Sequence, residues 1–443
     1  MIQKQKDGRN VKKESGYEQW TGVEHFDMNR PPIRQRQYLR PVTWLLSYPE
    51  ILFHRYSINR RRMEGLKPPY LLLCTHHAFL DFKVTTAAIF PHRANYVVAI
   101  DGFIKREWLL RNAGGICKRK FTTDIKLISQ IRQVLHRNGD ILALYPEARY
   151  SLAGTNAVLP ESLGKMIKLL KVPVVMLNMH GHYLNSPCWN LTPRGNRIEA
   201  DLTQILTEEE IASSSVTEIF EKVNEAFSYD EYTWQKEHRV RIAFRNRAEG
   251  LHKVLYKCPS CRTEYRMNSS GSELFCSHCG SRWQMSEYGE LVRISPEQGA
   301  AEGAIDFSHI PSWYEWERQE VRREIEEGSY RYDLRVTVDA LPHAKGFIRL
   351  GEARLTHSAD GFTLTGVFDG NRFSLSKDSA EMYSCHIEYE YFGKGDCIDL
   401  STLEDTFYLF PHGRDFSVTK IALATEELYT WSQKERETVV SAL

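Results

Sequence analysis

The segment Cys74-Thr75-His76-His77-Ala78-Phe79-Leu80-Asp81 sets a histidine and an aspartate five positions apart at the end of an apolar run. An imidazole held by a carboxylate is a good general base, because the carboxylate fixes the tautomer and stabilises the imidazolium formed when a hydroxyl proton is taken. No Ser, Cys or Thr nucleophile is then needed, since the substrate's own hydroxyl can attack. For His76 and Asp81 to meet, the chain between them must turn. On one continuous helix, at about 100° per residue, they would lie on different faces. The flanking sequence supplies that turn: Tyr70 to Cys74, after Pro68-Pro69, reads as a short buried strand, and Phe79 to Phe90 as a helix. A plainer reading makes both histidines structural, with His77 facing away from its neighbour.

Three further blocks follow: Gly114-Gly115-Ile116-Cys117-Lys118-Arg119-Lys120, then Tyr145-Pro146-Glu147-Ala148-Arg149-Tyr150-Ser151, then Val172-Pro173-Val174-Val175. In this order and spacing the four blocks resemble those of the glycerophospholipid (1-acylglycerol-3-phosphate) acyltransferase family, roughly over residues 65 to 225. The resemblance implies that His76 is the base, that Asp81 orients it, and that Glu147 helps to hold the acceptor. It also sets Lys118, Arg119, Lys120 and Arg149 against the acceptor's phosphate. The implied reaction moves an acyl chain from acyl-CoA or acyl-carrier protein to the free hydroxyl of a lysophospholipid such as lysophosphatidic acid, in phospholipid biosynthesis or remodelling. Several positions depart from the family pattern. Thr75 and Ala78 stand where Asn and Ser are usual, Lys120 replaces an Arg, Arg149 comes one position early, and Tyr150 occupies the usual Arg place. These departures support a rival reading, a catalytically altered membrane lipid-binding or scaffolding protein.

Elements must position these residues. Strand-like runs alternate with helical ones from Tyr70 to about Ser228, which predicts an α/β acyltransferase domain with a largely parallel sheet over residues 67–250. His76 and Glu147 fall just beyond strand C-termini, where open α/β sheets bind ligands. His180-Gly181-His182 follows another strand and could line the same cleft. Two histidines one apart on an extended strand point the same way, but with no carboxylate or cysteine beside them in sequence a metal is not expected. Upstream, residues 1–66 read as a polar arm followed by a basic amphipathic membrane-facing segment, in which arginines interleave with Tyr38, Trp44, Leu45, Leu46, Leu52 and Phe53.

Cys258-Pro259-Ser260-Cys261 and Cys276-Ser277-His278-Cys279 form two C-x2-C knuckles, the pattern of a four-cysteine zinc ribbon, placed at residues 251–295. Cys258, Cys261, Cys276 and Cys279 would fill the coordination shell of a structural Zn²⁺, with no open position for catalysis. A charged helical linker at 296–330 then reads as a spacer. Seven short strands and a closing helix at 331–443 suggest a β-rich domain, by analogy of the pleckstrin-homology type.

Composition narrows the rest. The 443 residues suit several folding units, and 42% hydrophobic with 26% charged residues is the balance of a folded chain. A net charge of +1 and mixed charge around the ribbon leave no basic face for nucleic acid. Five scattered cysteines beside the ribbon's four imply a reduced compartment. With no apolar h-region near the start and no run of about 20 apolar residues, the expectation is a cytoplasmic protein, peripheral to the inner face of the membrane.

Overall fold

Leu71–Cys74 is buried along its whole length, and its side chains alternate between two apolar cores. Leu72 and Cys74 pack with Val84, Tyr96 and Val175, whereas Leu71 and Leu73 pack with Ile131, Leu163 and Met176. A strand covered on both faces needs an uninterrupted apolar run, which explains Leu-Leu-Leu-Cys. The computed structural model describes residues 23–294 and 305–441; the polar arm expected at the start and the beginning of the linker fall largely outside them.

The first sheet contains β1 (Ser57–Arg61), β2 (Leu71–Cys74), β3 (Ala94–Ala99), β4 (Gly115–Lys118), β5 (Ile141–Leu144), β6 (Val174–His180) and β7 (Glu199–Leu206), in the order β1-β7-β6-β2-β5-β3-β4. From β6 to β4 the strands are parallel; β7 runs against β6, and β1 pairs with β7. All five parallel strands therefore end on one edge. There the loops after β2, β5 and β4 bring the first three sequence blocks together, whereas Val172 to Val175 opens β6 at the opposite edge.

The ribbon is a four-stranded antiparallel sheet of β8 (Met267–Ser270), β9 (Glu273–Cys276), β10 (Arg282–Met285) and β11 (Leu291–Arg293). The C-terminal sheet is antiparallel throughout. It comprises β12 (Tyr332–Ala340), β13 (Ile348–Ser358), β14 (Gly361–Phe368), β15 (Asn371–Lys377), β16 (His386–Glu388), β17 (Cys397–Ser401) and β18 (Thr406–Pro411), ordered β15-β14-β13-β12-β18-β17-β16. The helix Val418–Ser441 packs against it through Ile421, Leu423 and Leu428.

Two expectations from sequence are corrected. The charged helix, Ile310–Glu326, is not a spacer: it buries Trp313, Tyr314, Trp316, Val321 and Ile325 in a core continuous with both the ribbon and the C-terminal sheet. Trp283 meets Trp313 edge to face at 4.9 Å, and the Trp313 indole donates to the Lys257 carbonyl. Part of its charge faces partners rather than solvent, Arg318 pairing with Glu426 and Glu427, and Glu320 with Lys257, while Glu315, Arg323 and Glu326 stay exposed. Residues 23–29, expected within the polar arm, wedge between the two larger sheets: Phe26 is buried, its N–H donates to the Pro342 carbonyl, and Arg111 lies over its ring.

Candidate active site

The turn between β2 and the helix Leu80–Ala88 is closed by Asp81. Its Oδ2 accepts the backbone N–H groups of His77 (2.6 Å) and Ala78 (3.0 Å) and lies 3.1 Å from His76 Nδ1. Thr75 ties the end of β2 to β6 by accepting the Met179 N–H at 3.0 Å. The Ser151 N–H donates to the His76 carbonyl at 2.9 Å, fixing the loop after β5 to the same turn. His76 and Asp81 thus meet across the turn, as their spacing predicts.

Asp81 has a second imidazole partner that sequence reasoning missed. His182 Nδ1 lies 2.8 Å from Asp81 Oδ1, and both groups are buried. His180 and His182 do not share a strand. Gly181 between them takes a left-handed conformation, φ 80°, and a Cβ there would come within 2.4 Å of the Arg197 carbonyl oxygen. That turn sends His180 to Glu231 and His182 to Asp81. The two histidines therefore go to different carboxylates, both distant in sequence, and no metal cluster forms around them among the described residues. Burial alone would raise the Asp81 carboxyl, but hydrogen bonds from His182 and His76 hold it well below the ordinary carboxylate range. Asp81 is then an anion that favours the Nδ1–H tautomer of His76 and leaves Nε2 as the basic atom.

Two phenol rings flank that imidazole, Tyr145 and Tyr150, each with its ring centroid 4.5 Å away. The Tyr145 hydroxyl is 3.0 Å from Thr85 Oγ1. His77 faces away, as expected: it is fully buried, edge-on to Tyr229 at 4.7 Å, and burial lowers its pKa to about 4, so it stays neutral.

His76 lines a cavity of roughly 1490 Å³ at the C-terminal edge of the parallel strands. Its walls come from the helix Arg40–Phe53, from the loops after β2, β3, β4 and β5, and, across the cleft, from Met382, Tyr383, His386, Glu388 and Tyr429 of the C-terminal domain. Nothing in the sequence announces this second wall.

The residues expected to grip the acceptor are placed differently. Arg149 is buried and bonded to Glu426 on the C-terminal helix. Arg119 is buried too, donating to the carbonyls of Leu341 and Pro342 (2.9 Å each) and to Thr406 Oγ1 (3.1 Å). Lys118 donates to the Thr122 carbonyl at 3.0 Å. Lys120 Nζ is 2.8 Å from His386 Nε2, with Asp101 at 3.6 Å and Asp399 at 3.8 Å. Arg119 and Arg149 join the domains, because the loop after β12 presents carbonyls and the C-terminal helix a carboxylate where an open cleft would present water.

Lys118, Lys120 and Arg149 still line the cavity, whereas Arg119 and Glu147 lie off it. Ala148, next to Glu147, turns at φ 56°, and the buried Glu147 carboxyl accepts the Ala157 N–H (3.0 Å) and the Tyr229 hydroxyl (3.2 Å). Burial raises its pKa to about 8, only partly offset by those donors and Arg149. Glu147 is then protonated in the folded chain across a range where the unfolded chain has lost the proton. Stability should fall as pH rises from about 4.5 towards 8. Glu147→Gln should flatten that part of the profile; urea unfolding of both proteins at pH 6 and pH 9 checks it, and equal pH dependence would contradict a neutral buried acid.

The four cysteine sulfurs lie within 4.8 Å of one another, with Cys258–Cys279 at 3.7 Å and Cys261–Cys276 at 3.8 Å. A tetrahedron of sulfurs about 2.3 Å from zinc has edges of about 3.8 Å, whereas a disulfide would bring a pair to about 2.05 Å. The donor set fits a structural Zn²⁺.

No protein-family model and no curated protein matches the chain in sequence. Among solved structures it is similar to the 1-acyl-sn-glycerophosphate (LPA) acyltransferase PlsC from Thermotoga maritima, with a TM-score of 0.35 and 14% identity, over 43% of this chain and 77% of that one.

Proposed function

We propose that the chain is an O-acyltransferase that uses acyl-CoA or acyl-carrier protein to acylate the free hydroxyl of a lysolipid. His76 Nε2 takes the hydroxyl proton, the oxygen bonds to the thioester carbonyl carbon, and on collapse the carbon–sulfur bond breaks while the imidazolium returns the proton to the leaving thiolate. The observation that carries this reading is the His76–Asp81–His182 array reaching, through His76, a large and mainly apolar cavity. Zn²⁺ is structural on this reading, and no nucleic acid takes part. Thioester consumption by the purified full chain over a panel of lysolipids tests it, with His76→Ala as the control. No consumption above that control would favour the rival, a lipid-binding or scaffolding protein, for which the two tyrosine rings against His76 and the engaged cations speak.

The proposal includes a peripheral site of work, at the cytoplasmic face of the membrane. No helix among the described residues is long and apolar enough to cross a membrane. The helix Arg40–Phe53, which contributes to the cavity wall, buries Ile51 yet leaves Leu45 74% and Phe53 73% exposed. Such a face suits the headgroup layer. Leu45→Glu and Phe53→Glu should each weaken binding to anionic vesicles by about tenfold or more, since inserting one such side chain is worth about 1.5–3 kcal/mol. Unchanged vesicle sedimentation would remove this helix from the membrane contact.

A further inference from the structure

In lysophosphatidic acid the reacting hydroxyl and the phosphate sit on neighbouring carbons, so a base that reaches the first must have cations close by for the second. Cations do line the cavity around His76, but those on its inner wall, Lys118, Lys120 and Arg149, are already engaged by protein groups. The His76 ring touches Tyr145, Tyr150 and Asp81. Tyr150 stands where an arginine would be expected, and burial, followed by the carboxylates of Asp81, Glu388 and Asp101, raises its phenol above the ordinary range. Arg149 lines the cavity wall with its Nη2 on Glu426, a carboxylate that it shares with Arg318 at 2.8 Å. Arg119 is turned into the interface between domains, and Lys118 towards a carbonyl.

Lys120 does reach the cavity wall, but among acids. Asp101 and Asp399 lie within 3.8 Å, and His386, bonded to its Nζ, is itself 2.9 Å from Asp399 and 3.5 Å from Glu388. Three carboxylates thus surround one ammonium and one imidazole. A phosphate dianion entering here would face an excess of like charge in a partly desolvated pocket. Besides Lys118 and Arg149, the cavity is lined by Arg106 and Lys165, both from solvent-exposed positions, and by Lys377 at its rim. Uncharged hydroxyls, by contrast, would find both donors and acceptors in Tyr150, His386, Glu388 and Lys120.

We propose that the acceptor head group carries no phosphate, and that the site takes an amphiphile whose reacting hydroxyl belongs to an uncharged polyol, a monoacylglycerol being the simplest. This rests on the acyl-transfer reading for its chemistry, though the selectivity of the cavity can be measured without turnover.

In the test, mono-oleoylglycerol and oleoyl-lysophosphatidic acid, each in non-ionic detergent micelles, compete with a fluorescent monoacyl probe for the full-length protein. They are then offered as acceptors with oleoyl-CoA. Mono-oleoylglycerol should displace the probe at a concentration lower by about tenfold or more, as expected when only one competitor brings repelled charge. Tyr150→Arg combined with Glu388→Gln should narrow or reverse that preference. Stronger displacement by lysophosphatidic acid would overturn the inference whatever the turnover. Preference for mono-oleoylglycerol without thioester consumption above the His76→Ala background would uphold the selectivity and overturn acyl transfer.

Discussion

His76→Ala should lower acyl transfer by about 10²–10⁴-fold, the range a positioned general base supplies, while the protein stays folded and still binds lipid. The imidazole is about a quarter exposed (26%) on a cavity wall, so removing it leaves space open to solvent rather than a hole in the core. Asp81→Asn should cost less, for a reason the geometry makes specific. Three donors converge on Oδ2, the N–H groups of His77 and Ala78 and His76 Nδ1, but one, His182 Nδ1, on Oδ1. An asparagine will keep its carbonyl oxygen on the crowded side and turn its NH₂ to His182, which must then accept at Nδ1. His76 thus keeps its tautomer but loses the anion that stabilises its protonated form. Steady-state kcat/KM for wild type and both variants decides the matter: a His76→Ala enzyme within about threefold of wild type is incompatible with any base role. Equal losses for the two variants would instead mean that Asp81 does more than carry charge.

The parts of this array differ in how far the sequence discloses them, and the difference follows chain separation. His76 and Asp81 are five residues apart, and strand, turn and helix signals around them are local, so both their meeting and their place at a strand end can be read directly. His182 is 101 residues from Asp81, and only the Gly181 turn aims it there. Arg149 and Glu426 are 277 residues apart, and Arg119 and Thr406 are 287 apart. Local pattern carries no information on such pairs. The same limit explains the helix Ile310–Glu326: its dense charge looks solvated until the facing helix is known to carry Glu426 and Glu427.

Loss of the metal should be as damaging as loss of the base, by a different route. Cys258→Ser or Cys276→Ser is expected to loosen residues 253 to 290, to make them sensitive to protease, and to abolish most acyl transfer as well. Binding energy in a four-thiolate site is also folding energy, on the order of 10 kcal/mol in small zinc domains. The four short ribbon strands, each of three or four residues, hold too little core to replace it. The effect should not stop at the ribbon. Cys258 and Cys276 are buried in the same core as Trp283, Trp313 and the inner residues of the C-terminal sheet. Lys257, next to the first ligand, donates its N–H to Glu317 and pairs through Nζ with Glu320. The helix bearing those glutamates also carries Arg318, which meets Glu426 beside Arg149. Slackening the ribbon therefore reaches the C-terminal helix and the far wall of the cavity. Metal analysis of protein purified without chelator should find about one zinc per chain, and less than about half an equivalent would contradict a tight four-cysteine site. Turnover after the cysteine changes separates the two halves of the argument: full activity from a chain nicked at the ribbon would show that the metal holds the ribbon alone, whereas joint loss of protease resistance and transfer places it under the active cleft.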